Sequence, residues 1–159
     1  MKKVILVFCL FVGFAAATAA QPRAIGGRVG WALEASYQHE VTDDSYFQID
    51  AGFPGYSLGL HVVGTYNWIF ATPQWGRYGK WEWFAGGGVG AGMISGYYSY
   101  DNAIFVGGAG NIGLSFTFPF DLQLSTDFRP VVGPVFKRDG SGFYDYGLWG
   151  FGLSVRYAF

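Results

Sequence analysis

The stretch Phe151-Gly152-Leu153-Ser154-Val155-Arg156-Tyr157-Ala158-Phe159 decides the fold that we predict for this chain. Its odd positions are all large apolar or aromatic residues, whereas its even positions carry glycine, serine, arginine and alanine. Side chains alternate between the two faces of a β-strand, so this stretch predicts a strand with one apolar and one polar face. The aromatic residue at its end, Phe159, is typical of a strand in a membrane-spanning barrel.

The same alternation recurs along the rest of the chain, and we find no convincing 3.6-residue period of an amphipathic helix. Including the terminal stretch, it predicts seven clear strands, at about 25–37, 46–53, 56–68, 81–93, 104–118, 120–128 and 151–159. Strands of soluble sheets usually have about five or six residues, whereas crossing a bilayer core takes about 9–11 tilted residues. The lengths of these runs therefore favour a membrane barrel over a soluble sandwich.

Seven strands are one too few, because an antiparallel barrel closes without a parallel pair only if the number of strands is even. We expect the eighth strand either in an irregular segment or in a long run that is really a hairpin. The candidate segments are 131–136, 93–100 and 73–78. The predicted fold class is therefore all-β, a closed antiparallel transmembrane β-barrel of eight strands.

The composition points the same way. Aromatic residues make up 21% of the 159 residues and there are 26 glycines, but only 13% of the residues are charged. An ordinary soluble domain has about 25% charged residues and about 7% glycine. A barrel in a membrane fits these values, because each strand is only half apolar and aromatic rings gather at both interfaces. The net charge is −1 and no basic patch is present, so we do not expect nucleic acid as a partner.

Residues 1–20 have the pattern of a cleaved secretory signal peptide. Lys2 and Lys3 precede the apolar run 4–14, and Ala17-Thr18-Ala19 supplies the small residues of a cleavage site. The run is too short for a membrane-spanning helix, which needs about 20 residues. We therefore expect export and a single barrel domain at 21–159. The one cysteine, Cys9, lies in the signal peptide, so disulfides do not stabilise the predicted barrel.

The polar faces of the strands are expected to point into the barrel, because side chains fill the interior of a small barrel. Isolated charges there would be costly, so we predict arginine–carboxylate pairs. His61 is expected to point inward as well. A proton relay or solute pathway along the same residues is the functional alternative. The predicted interior charge network consists of Arg28, Glu34, Asp50, Glu82, Asp127, Arg129 and Arg156.

The signal peptide, the alternating strands and the terminal Val155-Arg156-Tyr157-Ala158-Phe159 resemble small outer-membrane β-barrel proteins of the OmpA/OmpX-like type. The resemblance implies Sec-type export to the outer membrane of a Gram-negative-type cell envelope, and a monomer surrounded by outer-membrane lipids. In that family the barrel-assembly machinery reads the C-terminal strand, so Tyr157 and Phe159, with Gly152 as a third residue, would form the assembly signal. The chain departs from the family in its odd strand count and in loops shorter than those of adhesive members.

We expect a structural or surface-interaction role, in which the loops contact a surface ligand and side chains fill the interior without a wide pore. The sequence shows no compelling catalytic, cofactor or metal site, so an enzyme is not predicted. An outer-leaflet lipid-modifying enzyme is one alternative and would need His61 with Ser57 or another partner. A narrow transporter of small hydrophobic solutes is a second, suggested by the glycines of 86–92. A soluble lipocalin-like barrel is disfavoured by Leu, Ile, Val and Trp on the outward faces.

Overall fold

The computed structural model describes residues 22–54, 58–76, 78–95, 102–138, 140–144 and 146–159. The predicted signal peptide, Ser57 and residues 96–101 lie outside these ranges. No helix in the described part of the chain is long and apolar enough to cross a bilayer. A 3₁₀-helical turn covers Tyr146–Trp149. The strands are β1 (Pro22–Gly30), β2 (Ala32–Thr42), β3 (Ser45–Pro54), β4 (Leu58–Ala71), β5 (Lys80–Ser95), β6 (Asn102–Thr117), β7 (Leu122–Phe128), β8 (Val131–Lys137), β9 (Gly140–Tyr144) and β10 (Phe151–Ala158).

These segments form the eight strands of one closed antiparallel barrel. β7 and β8 follow each other along the same edge of β6 in one register, with Phe128 opposite Ile112 and Val131 opposite Ala109. The ladder is interrupted between them at Pro130, which has no N–H to donate. β9 and β10 are likewise two parts of the last strand, separated by the 3₁₀ turn. The pairing of β1 with β10 closes the barrel, so the prediction of a closed eight-stranded antiparallel barrel is confirmed.

The prediction of a single strand over 25–37 is wrong, because this run is a hairpin. β1 and β2 pair on either side of Trp31, with Val29 opposite Leu33. The connection keeps the apolar positions in phase, so the alternation runs through the turn without a break. The hairpin supplies the missing strand, whereas segment 131–136 continues β7. Of the other candidates, 93–95 belongs to β5, and the described residues of 73–78 form no strand.

The two ends of the barrel are named here by what lies at them. At the terminal end, β1 begins at Pro22 and β10 ends at Ala158. At the Trp31 end, the β1–β2 hairpin turns. β5 begins at the terminal end, so its first residues lie at the level of Arg23 near the start of β1, whereas Arg28 lies further along β1 toward the Trp31 end.

The side chains are distributed inside out compared with a soluble barrel. Large apolar residues are exposed on every strand, among them Val89 with 67% of its surface exposed and Leu153 with 62%. Polar and charged side chains are buried in the interior, where Arg28 is fully covered. Most exposed apolar surface in soluble proteins occurs in smaller patches. Two small apolar clusters also lie inside: Val63, Ala103, Phe105, Ala109, Val131 and Val135 in one, and Tyr46, Ile69 and Phe84 in the other.

The interior charge network as candidate functional site

Arg28 of β1 is paired on both sides by carboxylates from other strands. Its Nε donates to Asp127 Oδ2 at 3.0 Å, and its Nη2 donates to the same oxygen at 2.7 Å. Its Nη1 donates to Glu34 Oε2 at 2.6 Å. Such forked pairing uses the planar guanidinium and fixes its orientation. The contact joins β1 to both β2 and β7 across the interior.

Two glycines at the start of β10, Gly150 just before it and Gly152 within it, lie against this arginine. The carbonyl oxygen of Gly150 accepts a hydrogen bond from Arg28 Nη2 at 2.8 Å and one from the backbone N–H of Arg129 at 2.9 Å. A Cβ on residue 152 would lie 2.4 Å from Arg28 Cζ. The guanidinium therefore occupies space that only a glycine at position 152 leaves free.

Glu34 is the centre of the network, because three cationic or hydrogen-bonding groups converge on its carboxylate. Besides Arg28, it accepts from Arg129 Nη2, and His61 Nε2 lies 2.6 Å from its Oε1. Arg129 also donates to Asp50 through Nη1. Asp50 in turn accepts from Gln48 Nε2 at 2.7 Å. The network thus ties β1, β2, β3 and β4 to the strand formed by β7 and β8.

His61 joins the network to Trp31, the residue at the turn between β1 and β2. The residue is buried, and its ring stacks on Trp31 with centroids 4.9 Å apart at an angle of 27°. His61 lies opposite Gly92 of β5, where an added Cβ would come within 2.7 Å of His61 Cβ. The Nδ1 atom of His61 has no hydrogen-bond partner among the described residues. The inward position expected for His61 from the alternation is thus the observed one.

Glu82 is separate from this cluster, although the sequence analysis grouped it there. It lies at the terminal end, where it pairs with Arg23, and Lys80 Nζ is 2.8 Å from its Oε1. The guanidinium of Arg23 lies 4.7 Å from the centre of the Tyr46 ring. Arg23 was not predicted as an interior residue. It turns inward because the β1–β2 register shifts between Pro22 and Ala24, which marks a β-bulge.

Arg156 has no ion-pair partner within 4.0 Å among the described residues. It donates instead to the hydroxyls of Ser36 at 2.8 Å, Ser125 at 2.7 Å and Ser154 at 3.0 Å. The central cluster holds three carboxylates against two arginines. The charge of Arg156 therefore offsets the excess carboxylate from a distance, while hydroxyls satisfy its N–H groups.

Two of the three residues of the predicted assembly signal, Tyr157 and Phe159, face outward. Tyr157 is 53% and Phe159 is 68% exposed, and their rings meet edge to face with centroids 5.3 Å apart. The backbone N–H of Phe159 donates to the carbonyl oxygen of Arg23 at 3.0 Å, which joins the last residue to β1. Gly152, in contrast, faces the interior beside Arg28.

Comparison of the chain with protein-family models, with curated proteins and with solved structures found no match. Within the described ranges, no group of three or more His, Cys, Asp or Glu residues is arranged to hold a metal ion. The fold and the network therefore define a class only by geometry: an eight-stranded antiparallel barrel with an apolar outer face and charges paired inside.

Proposed function

We propose that this protein is an integral outer-membrane β-barrel with a structural or surface-interaction role and an interior closed by side chains. The observation that carries the proposal is the distribution of its side chains. Every strand exposes large apolar residues to the outside, whereas arginines and carboxylates are buried inside. Removing apolar surface from water stabilises a protein by about 25 cal/mol per Å², so an apolar environment around this belt is strongly favoured.

The closed backbone ladder supports the same environment. In the hydrocarbon core, unpaired N–H and C=O groups cost several kcal/mol each, so closed barrels are one of the two structures that span it. β1 pairs with β10, and every other strand pairs with a neighbour on each side at the level of this pair. The barrel wall therefore has no open edge there.

The network favours a closed interior over a transport pathway. Arg28 reaches from β1 to Asp127 on β7, and Arg129 reaches back to Glu34 and Asp50 on β2 and β3. A solute that crosses the barrel would have to break buried ion pairs, and breaking one costs about 3–5 kcal/mol. We therefore place the structural role ahead of the transporter.

The surroundings of His61 argue against a lipid-modifying enzyme. Its Nε2 is engaged by Glu34, and the ring lies under Trp31. A substrate would have to displace Trp31 before it could reach the imidazole. His61→Ala is expected to leave the lipid composition of the outer membrane unchanged, as measured by mass spectrometry of extracted lipids.

The proposal is tested by fractionation and by reconstitution. We expect the protein in the outer-membrane fraction, with heat-modifiable migration on a detergent gel, since folded membrane barrels resist unfolding by cold detergent. Recovery in the soluble periplasmic fraction would contradict it. In planar bilayers, the wild-type protein is expected to give no stable ionic conductance, and a steady open channel would favour transport.

A further inference from the structure

The last strand of the barrel has an open edge beyond the β1–β2 turn. Its second part, β10, is paired on both sides, and the last of its pairs with β1 joins Gly152 to Gly30. β1 ends at Gly30, and the chain reverses at Trp31. β9 lies beyond that reversal and pairs only with β8 among the described strands. The edge of β9 that faces away from β8 therefore has no neighbouring strand within the described ranges.

The β8–β9 register identifies the backbone groups that point to this edge. Lys137 pairs with Gly140 across a two-residue turn. The residues that flank such a turn form a hydrogen-bonded pair, and hydrogen-bonded and non-hydrogen-bonded pairs alternate along an antiparallel ladder. Ser141 and Phe143 are therefore in non-hydrogen-bonded pairs, and their N–H and C=O groups point away from β8. Pro134, which lies opposite Phe143, is compatible with this assignment because a non-hydrogen-bonded pair needs no N–H from it.

β9 lacks the features with which natural proteins protect an edge strand. Prolines, charged side chains and β-bulges are the usual protection against an incoming strand. The segment Gly140–Tyr144 contains no proline and no charged residue. Its register with β8 runs without a shift, and residues 140–143 are exposed. The free backbone groups of Ser141 and Phe143 are thus accessible to another extended chain.

We infer that the open edge of β9 binds an extended segment of another protein by β-strand addition. The inference deepens the proposed surface-interaction role and rests on it. Free N–H and C=O groups at every second residue are matched by a second extended backbone, which carries the same groups at the same spacing. Gly142 faces inward with Val135 and leaves room for the partner's inward side chains, whereas the outward Phe143 ring is 65% exposed. The partner segment is therefore a strand with an apolar residue beside Phe143.

A second copy of the protein in the same membrane does not fit this edge. Strands of a barrel tilt by about 35–45° from the barrel axis. Two barrels inserted in the same direction, with their β9 edges facing each other, are related by a twofold axis along the membrane normal. Their β9 strands would cross at twice the tilt, roughly 70–90°, and strands that cross so steeply form no ladder. A segment outside the membrane can align with β9 freely.

The experiment measures hydrogen exchange of single amides by NMR on the full barrel in detergent micelles. In the free protein, the amides of Ser141 and Phe143 are expected to exchange quickly and that of Gly142 slowly, because Gly142 donates to β8. The probe is a synthetic ten-residue peptide of alternating threonine and valine. It is expected to slow exchange at Ser141 and Phe143 at least tenfold. The same peptide with N-methyl groups on four consecutive amides is expected to have no effect, since it lacks the donors.

Ser141→Pro tests the edge from the side of the protein. It removes one N–H of the open edge and none of the hydrogen bonds to β8, so we expect it to weaken peptide binding at least tenfold. Ser141→Thr is the matched control, because it keeps the N–H, and it is expected to bind as the wild type does. Slow exchange at Gly142 in both variants shows that the β8–β9 hairpin is still folded.

Three results would overturn the inference: slow exchange at Ser141 and Phe143 in the free barrel, equal effects of the two peptides, or equal binding by Ser141→Pro and Ser141→Thr. A peptide-free dimer that Ser141→Pro abolishes would overturn it in favour of a second copy. The wild-type protein is also inserted into phospholipid vesicles. Insertion without peptide binding refutes only the open edge, whereas failure to insert refutes the proposed function.

Discussion

Arg28 and Gly152 occupy one space in the barrel interior: the Arg28 guanidinium carbon lies 2.4 Å from the point where a Cβ on residue 152 would stand. The two residues belong to the first and last strands, which pair with each other to close the barrel. Gly152 therefore contributes to stability because it has no Cβ, which leaves room for the Arg28 guanidinium. The Gly150 carbonyl oxygen, 2.8 Å from Arg28 Nη2, accepts a hydrogen bond from the same guanidinium.

Gly152→Ala is expected to lower the free energy of unfolding by about 3 kcal/mol, because the new methyl group pushes Arg28 away from Asp127 and Glu34. Refolding from urea into detergent micelles measures this loss without the assembly machinery, so it separates the steric effect from any role of Gly152 as an assembly signal. Gly108→Ala is the control, since a Cβ there meets no atom within 4 Å. Equal stability of the two variants would contradict the shared-space argument.

Glu34→Gln is expected to destabilise the barrel by about 3–5 kcal/mol, because it leaves Arg129 and His61 without the carboxylate on which they converge. Urea unfolding in detergent gives the difference from the wild type. Glu40→Gln makes the same chemical change at a less buried position of the same strand, and surface substitutions usually change stability by less than about 0.5 kcal/mol. The prediction fails if both variants unfold at the same urea concentration.

The two arginines with different partners are expected to differ in their contribution to stability. Arg28→Met leaves Asp127 and Glu34 short of a counter-charge and should cost about 3–5 kcal/mol. Arg156→Met removes hydrogen bonds to serine hydroxyls, which can turn toward one another, and should cost about 1–2 kcal/mol. Both substitutions keep a long apolar stem, so the comparison isolates the head group. A larger loss for Arg156→Met would show that its distant carboxylates matter more than the direct pairs of Arg28.

The membrane proposal predicts a depth-dependent cost for charge on the outer face. Val89→Arg, in the middle of β5, should destabilise the barrel in phospholipid vesicles by about 2–4 kcal/mol. Val41→Arg lies next to the end of β2, and near an interface the same change costs about 0–1 kcal/mol. Both valines are exposed to the outside. Unfolding titrations in vesicles give the two values, and equal costs would argue against a hydrocarbon layer around β5.

Much of the fold could be predicted from alternation alone, because a strand with one apolar and one polar face repeats every two residues. The hairpin at Trp31 escaped prediction for the same reason. Val29 and Leu33 lie symmetrically about Trp31, so the outward positions stay in phase through the turn. Gly30 is a weak turn signal, and the stronger signal in this run, Gly26-Gly27, lies within β1 and not at the reversal.

The sequence predicts which residues of the network point into the barrel, but it does not predict which arginine pairs with which carboxylate. Alternation places Arg28, Glu34 and Asp127 inside, yet their meeting depends on the register of strands that are far apart in the chain. Glu82 was grouped with them, although it pairs with Arg23 at the terminal end. Arg23 reaches the interior through a β-bulge, which shifts the alternation by one residue and has no signal in the sequence.

The pairing of Arg28 with Asp127 and Gly150 couples the first strand of the barrel to the last part of the chain. Arg28 has one acceptor close by in the chain, Glu34 on β2, whereas Asp127 and the Gly150 carbonyl oxygen lie 99 and 122 residues further along the sequence. In an incomplete barrel, Glu34 alone would face this guanidinium, and the missing acceptors would cost most where water cannot replace them. The ion pair between Arg28 and Asp127 therefore stabilises the closed barrel relative to an incomplete one, in which the first and last strands have not met.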